Sequence, residues 1–103
     1  MNESSDAVHL NNHHRDTLVS IFQHPTSHNI DWKAVLSLLG AIGTVQETAE
    51  GKYHVTLDGT EHVMTRPRHK DIDVQTVVDL RRMFTESGYA ELAQEVTDEG
   101  KEV

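Results

Sequence analysis

The six residues Lys52 to Leu57 alternate polar and apolar side chains and run directly into Asp58-Gly59. Alternation with a period of two marks a strand with one buried face. Asp-Gly tolerates the positive φ angles that a two-residue hairpin turn requires. The chain is therefore expected to reverse at Asp58-Gly59, with Thr60 to Thr65 returning antiparallel to Lys52 to Leu57. A slip of one residue would turn every apolar side chain outward, so the register is tightly specified. With Tyr53, Val55 and Leu57 facing a core, Lys52, His54 and Thr56 face the other way, and His54 stands open to solvent or a ligand.

The flanking segments supply what this hairpin must pack against. Asp16 is a candidate helix N-cap, followed by Leu18, Ile21 and Phe22 on one face over about two turns. The segment His24-Pro25-Thr26-Ser27-His28-Asn29 stops that helix, since Pro25 disfavours helical geometry at His24. Asp31 then caps a second helix that buries Trp32, Val35, Leu36, Leu38, Leu39 and Ile42 and ends at Gly43 in a left-handed conformation, with Gly40 as the earlier alternative. Thr44 to Thr48 reads as a strand, with Ala49-Glu50-Gly51 as its turn. A third helix capped by Asp73 buries Val74, Val77, Val78, Leu80 and Phe84 and ends at Gly88, with Tyr89 and Leu92 packing back. The fold class expected is α+β: helix, helix, three antiparallel strands, helix.

Charge locates the surface of interest better than total composition does. The net charge of -8 argues against binding nucleic acid through overall electrostatics. Residues 1–50 carry six acids and two bases (-4), residues 86–103 six acids and one base (-5), and residues 51–85 six bases and five acids (+1), which sum to -8. Within the middle stretch, Arg66-Pro67-Arg68-His69-Lys70 is the one dense basic cluster, and a phosphate contact is expected there. The apolar fraction of 36% is low, so part of the 103 residues is expected to lie outside any core. The reading is one domain: 1–13 a flexible arm, 14–31 a helical extension, 32–89 the folded unit and 90–103 an acidic tail.

Cysteine is absent, which excludes disulfides and thiolate chemistry. The N-terminus has no basic stretch followed by an apolar run, and Ala34 to Val45 is too short to span a bilayer, so a cytoplasmic protein without membrane association is expected. His24 and His28 have the four-residue spacing of a helical metal pair, but Pro25 breaks the helix that spacing needs. No metal and no cofactor is expected.

Taken together, Gly51-x-x-His54 opening the middle strand, Asp58-Gly59 closing it, and Pro67-Arg68-His69 ahead of the last helix give Trp32 to Tyr89 a resemblance to the HicA toxins. These are small ribonucleases (mRNA interferases) of toxin–antitoxin systems with a dsRBD-like α-β-β-β-α fold. The resemblance covers a little over half of the chain and rests on the order and spacing of short motifs. It implies a dsRBD-like domain with an additional N-terminal helix, His54 as the catalytic residue, Arg66, Arg68, His69 and Lys70 near bound RNA, and a cognate HicB-like antitoxin as partner. Lys52 stands where the family commonly has serine and adds a cation, a further candidate RNA contact, to the His54 face. The extension over Asp16 to Asp31 is open to a capping or homo-oligomerisation role.

The residues themselves support such chemistry. Histidine populates both protonation states near neutrality, which suits a base that withdraws a ribose 2'-hydroxyl proton. Cations near the phosphate offset the charge that builds in the transition state. Two other readings stay open at this stage: an exposed strand histidine without a role, in a module that binds RNA or protein without cleavage, and a basic loop whose charges are absorbed by the five acids of residues 51–85.

Overall fold

The computed structural model describes residues 10–23 and 25–89. The expected arm up to residue 9, His24, and the tail 90–103 with the packing expected of Leu92 lie outside the described residues. The chain forms α1 (Asn12–Phe22), α2 (Trp32–Ile42), β1 (Thr44–Ala49), β2 (Lys52–Leu57), β3 (Thr60–Thr65) and α3 (Val74–Glu86). It is a small α+β fold of three helices and one three-stranded antiparallel sheet in the order β1-β2-β3.

The hairpin forms in the expected register, pairing Leu57 with Thr60 and His54 with Val63. Asp58 and Gly59 take φ of 52° and 82°, the paired positive angles of a tight hairpin turn. Tyr53, Val55, Leu57 and Met64 are buried on the inner face together with Val35, Leu38, Leu39, Leu80 and Phe84 in a single core. Helix α1 packs on α2 and α3 and adds Leu18 and Ile21 to that core. Phe84 sits at its centre, with ring centroids 6.1 Å from Phe22 and 6.4 Å from Tyr89. The Tyr89 hydroxyl donates to the Ile42 carbonyl at 3.1 Å and ties the end of the described chain to the end of α2.

The structure corrects the expectations at three places. Helix α1 begins at Asn12, not after Asp16, because Asn11 and His14 cap each other. Asn11 Oδ1 accepts the His14 N–H at 2.8 Å and the Asn11 N–H donates to His14 Nδ1 at 3.4 Å. This reciprocal cap has histidine where glutamate or glutamine usually stands, which hides it from a motif search. Gly43 ends α2 with φ -154° and ψ -148°, which is not left-handed. It is required by close approach instead, since a Cβ there would lie 2.1 Å from the Thr56 carbonyl oxygen. Helix α3 buries Val77, Leu80, Met83 and Phe84, while Val74 and Val78 are exposed. The helix is rotated so that Phe84 reaches the core centre and Arg81 reaches α1, where its guanidinium donates to the carbonyls of Ile21 at 2.6 Å and Gln23 at 2.9 Å.

Candidate nucleic-acid interface

The open face of the sheet is built by strand pairing. Opposite residues share a face, so His54 lies in a row with Gln46 of β1 and Val63 of β3, and Lys52 lies opposite Thr65. Lys52 is two residues from His54 on the same strand, about 7 Å along it at 3.3 to 3.4 Å per residue. The His54 side chain is 39% exposed, and its Nδ1 lies 2.7 Å from Oε2 of Glu61. Glu61 pairs with Thr56, which puts it on the same face and diagonal to His54. Against a carboxylate, Nδ1 is the nitrogen that carries the proton and donates. In the neutral imidazole with the proton on Nδ1, Nε2 carries the lone pair that a general base uses.

Glu61 was not singled out from the sequence, although the signal was there. A two-residue turn at Asp58-Gly59 fixes the pairing of Thr56 with Glu61, and alternation then puts Glu61 on the His54 side.

The basic cluster leaves the sheet at the end where β2 begins. The Arg66 N–H donates to the Gly51 carbonyl at 2.8 Å, so Arg66 starts beside Lys52. The loop is then stitched to the start of α2: the Trp32 N–H donates to Lys70 O and the Ile72 N–H to Ile30 O, both at 2.9 Å. Asp31 and Asp71 form an antiparallel bridge between those bonds, and Ile30 and Ile72 are buried beneath them. Arg66, Arg68, His69 and Lys70 are all exposed on this braced loop.

Ion pairing within residues 51–85 does not absorb the cluster. Among the described residues, Glu61 is engaged by His54, Asp73 by Thr76 and Asp79 by Gln75, and the acid within ion-pair distance of a cluster cation is Asp31, 4.0 Å from Lys70. The loop lines a concavity of about 410 Å³ with Asp31, Trp32 and Lys33, and a second of about 430 Å³ with Thr65, Asp71, Asp73 and Thr76. Trp32 packs edge-on against Tyr53 at 5.6 Å, so the first concavity lies on the helix side of the sheet and His54 on the other. The structure thus places Lys52 and His54 on one face, with Arg66 to Lys70 around the end of the sheet.

Other titratable groups occupy separate places. His62 points to the helix side, 3.4 Å from the Ser87 hydroxyl, in a groove of about 570 Å³ between β3 and α3. The Asp73 carboxylate is held below its ordinary range, chiefly by the Thr76 hydroxyl and next by the Thr76 backbone N–H. The Tyr89 hydroxyl is pushed up by burial and, to a lesser degree, by the negative Asp58. Among the described residues no group of three His, Asp or Glu side chains could hold a metal ion, and His24 lies outside them. No described helix is long and apolar enough to cross a membrane.

No family model, curated protein or solved structure matches the chain.

Proposed function

We propose that this chain is a HicA-like, metal-independent endoribonuclease that cleaves mRNA as the toxin of a toxin–antitoxin pair. Its frame is read as dsRBD-like, α-β-β-β-α from α2 to α3, with α1 as an additional helix, and a HicB-like antitoxin is the partner expected to cover His54. The observation that carries the reading is the His54–Glu61 pair on an open sheet face, with Nδ1 2.7 Å from the carboxylate and Lys52 on the same side.

In this reading His54 Nε2 takes the proton of a ribose 2'-hydroxyl. The freed oxygen attacks the adjacent phosphorus, the bond to the 5' oxygen breaks, and that oxygen takes up a proton from solvent. Glu61 keeps the imidazole in the tautomer that presents Nε2 and offsets the positive charge His54 acquires. Lys52 lies on the side where negative charge grows on the phosphate.

The test compares RNA cleavage by the wild type, His54→Ala and Glu61→Gln. His54→Ala is expected to lower cleavage by about 10² to 10⁴, and Glu61→Gln by less. Both should fold as the wild type does, because exposed strand positions tolerate truncation within about 0.5 kcal/mol. A wild type that neither cleaves RNA nor slows growth without its partner would refute the reading and favour a module that binds without cleavage, as the net charge of -8 also does.

A further inference from the structure

The concavity between the start of α2 and the 66–70 loop is more than a patch of exposed charge. Trp32, Lys33, Arg66, Arg68, His69 and Lys70 line it, with Asp31 as the one carboxylate. That carboxylate is already committed: its Oδ1 accepts the Lys33 N–H at 2.9 Å and its Oδ2 lies 4.0 Å from Lys70. Within this concavity four permanent cations therefore face a single, engaged anion, while Arg66 and Arg68 also border the adjoining concavity that holds Asp71 and Asp73. The side chains of Lys33, Arg66 and Arg68 have no ion-pair or hydrogen-bond partner among the described residues, so their charge is unspent.

The backbone that carries these cations is fixed before any ligand arrives. Two backbone hydrogen bonds of 2.9 Å tie the loop to residues 30–32, and the buried Ile30 and Ile72 anchor it below. Binding there would not have to order a free loop, which is the usual entropic cost of assembling several charges around one anion. The first turn of α2 adds the partial positive charge of a helix N-terminus. A separate observation concerns Trp32, which is 5% exposed, with its Nε1–H buried and lacking an acceptor among the described residues. Buried donors are paired in the great majority of cases, and Trp32 is one of the residues that line the concavity.

Size and wall chemistry select the ligand. The volume of about 410 Å³ exceeds what a bare phosphate fills and falls in the range of sites for small organic molecules, roughly 300 to 1,000 Å³. Trp32 and Pro67 give one side an apolar surface beside the cations. We infer that this concavity is a nucleotide site, holding the phosphate of a nucleotide among Lys33, Arg66, Arg68 and Lys70 with the sugar and base toward Trp32 and Pro67. The inference deepens the ribonuclease reading, since one strand could lie on the His54 face and continue around the sheet end past Arg66 into this site.

The test uses Trp32 as its own reporter, because it is the single tryptophan of the chain. Adenosine 5'-monophosphate is titrated into the full-length protein while tryptophan fluorescence is followed, with adenosine as the uncharged control. A saturable change with the nucleotide, none with adenosine, and at least about tenfold weaker binding by the Lys33→Ala/Arg68→Ala double variant are expected. Circular dichroism checks that this exposed double variant is folded. No saturable change, an equal response to adenosine, or an unaltered double variant would overturn the inference. His54→Ala must bind the nucleotide as the wild type does. Nucleotide binding without RNA cleavage would sink the ribonuclease reading alone, and cleavage with an unaltered double variant would sink this one alone.

Discussion

Replacing Arg81 with methionine should weaken the hold of α1 on the body of the fold. The Arg81 guanidinium donates from Nε to the Ile21 carbonyl at 2.6 Å, and from a terminal nitrogen to the Gln23 carbonyl at 2.9 Å and the Thr26 hydroxyl at 3.3 Å. These carbonyls lie at the C-terminal end of α1, where backbone oxygens have no partner within the helix. Hydrogen bonds to a charged group contribute about 1.5 to 3 kcal/mol each. The Ile21 bond is partly buried and earns a middle value of about 2 kcal/mol, whereas the exposed Gln23 bond is discounted to about 1 kcal/mol. Methionine keeps much of the aliphatic stem, so the loss of about 3 kcal/mol is mostly that of the polar contacts. In a domain of this size 1 kcal/mol moves the melting temperature by about 4 to 8 °C, so a drop of about 12 to 24 °C is expected. The assay is thermal unfolding followed by circular dichroism, with amide exchange to show that α1 loses protection ahead of the sheet. Arg81→Lys should restore only part of the loss, because one ammonium cannot reproduce the fork that reaches both carbonyls. A melting temperature for Arg81→Met within about 3 °C of wild type would refute the reasoning.

Two glycines of α2 and its end should respond with opposite signs to the same change. Gly43→Ala places a methyl group 2.1 Å from the Thr56 carbonyl oxygen and is expected to cost about 3 kcal/mol or more, whereas Gly40→Ala meets nothing within 4 Å and should stabilise by about 0.5 to 1 kcal/mol. Urea unfolding midpoints measure both, and equal effects would contradict the close approach of Gly43 to β2. Acid should weaken the start of α3: because hydrogen bonds from Thr76 lower the Asp73 carboxyl in the folded state, its contribution is present above the unfolded value and is lost as pH falls through the folded one. Asp73→Asn should therefore flatten stability against pH below about pH 4, and an unchanged acid limb would count against the cap.

Local patterning was enough to read most of the elements. The period-2 run with its Asp58-Gly59 turn determines β2, β3 and their register, and with them the outward position of His54 and the diagonal position of Glu61. Asp31 and Asp73 were legible as caps because a short acceptor side chain ahead of an apolar run satisfies helix N–H groups locally. Such features depend on neighbours a few residues away, so one sequence carries them.

What the tertiary structure alone decided depends on residues far apart in the chain. The rotation of α3 that buries Met83 and exposes Val78, the clamp from Arg81 to Ile21, and the need for glycine at position 43 all arise from contacts made only after the helices and sheet pack. The basic cluster was visible as composition. Its assembly with Trp32 and Lys33 was not, because it depends on the backbone stitch between residues 30–32 and 70–72. Sequence periodicity fixes which side of an element faces inward. Which distant side chains then meet is set by how the faces dock, and that is where the cationic concavity and the His54 face take their separate places.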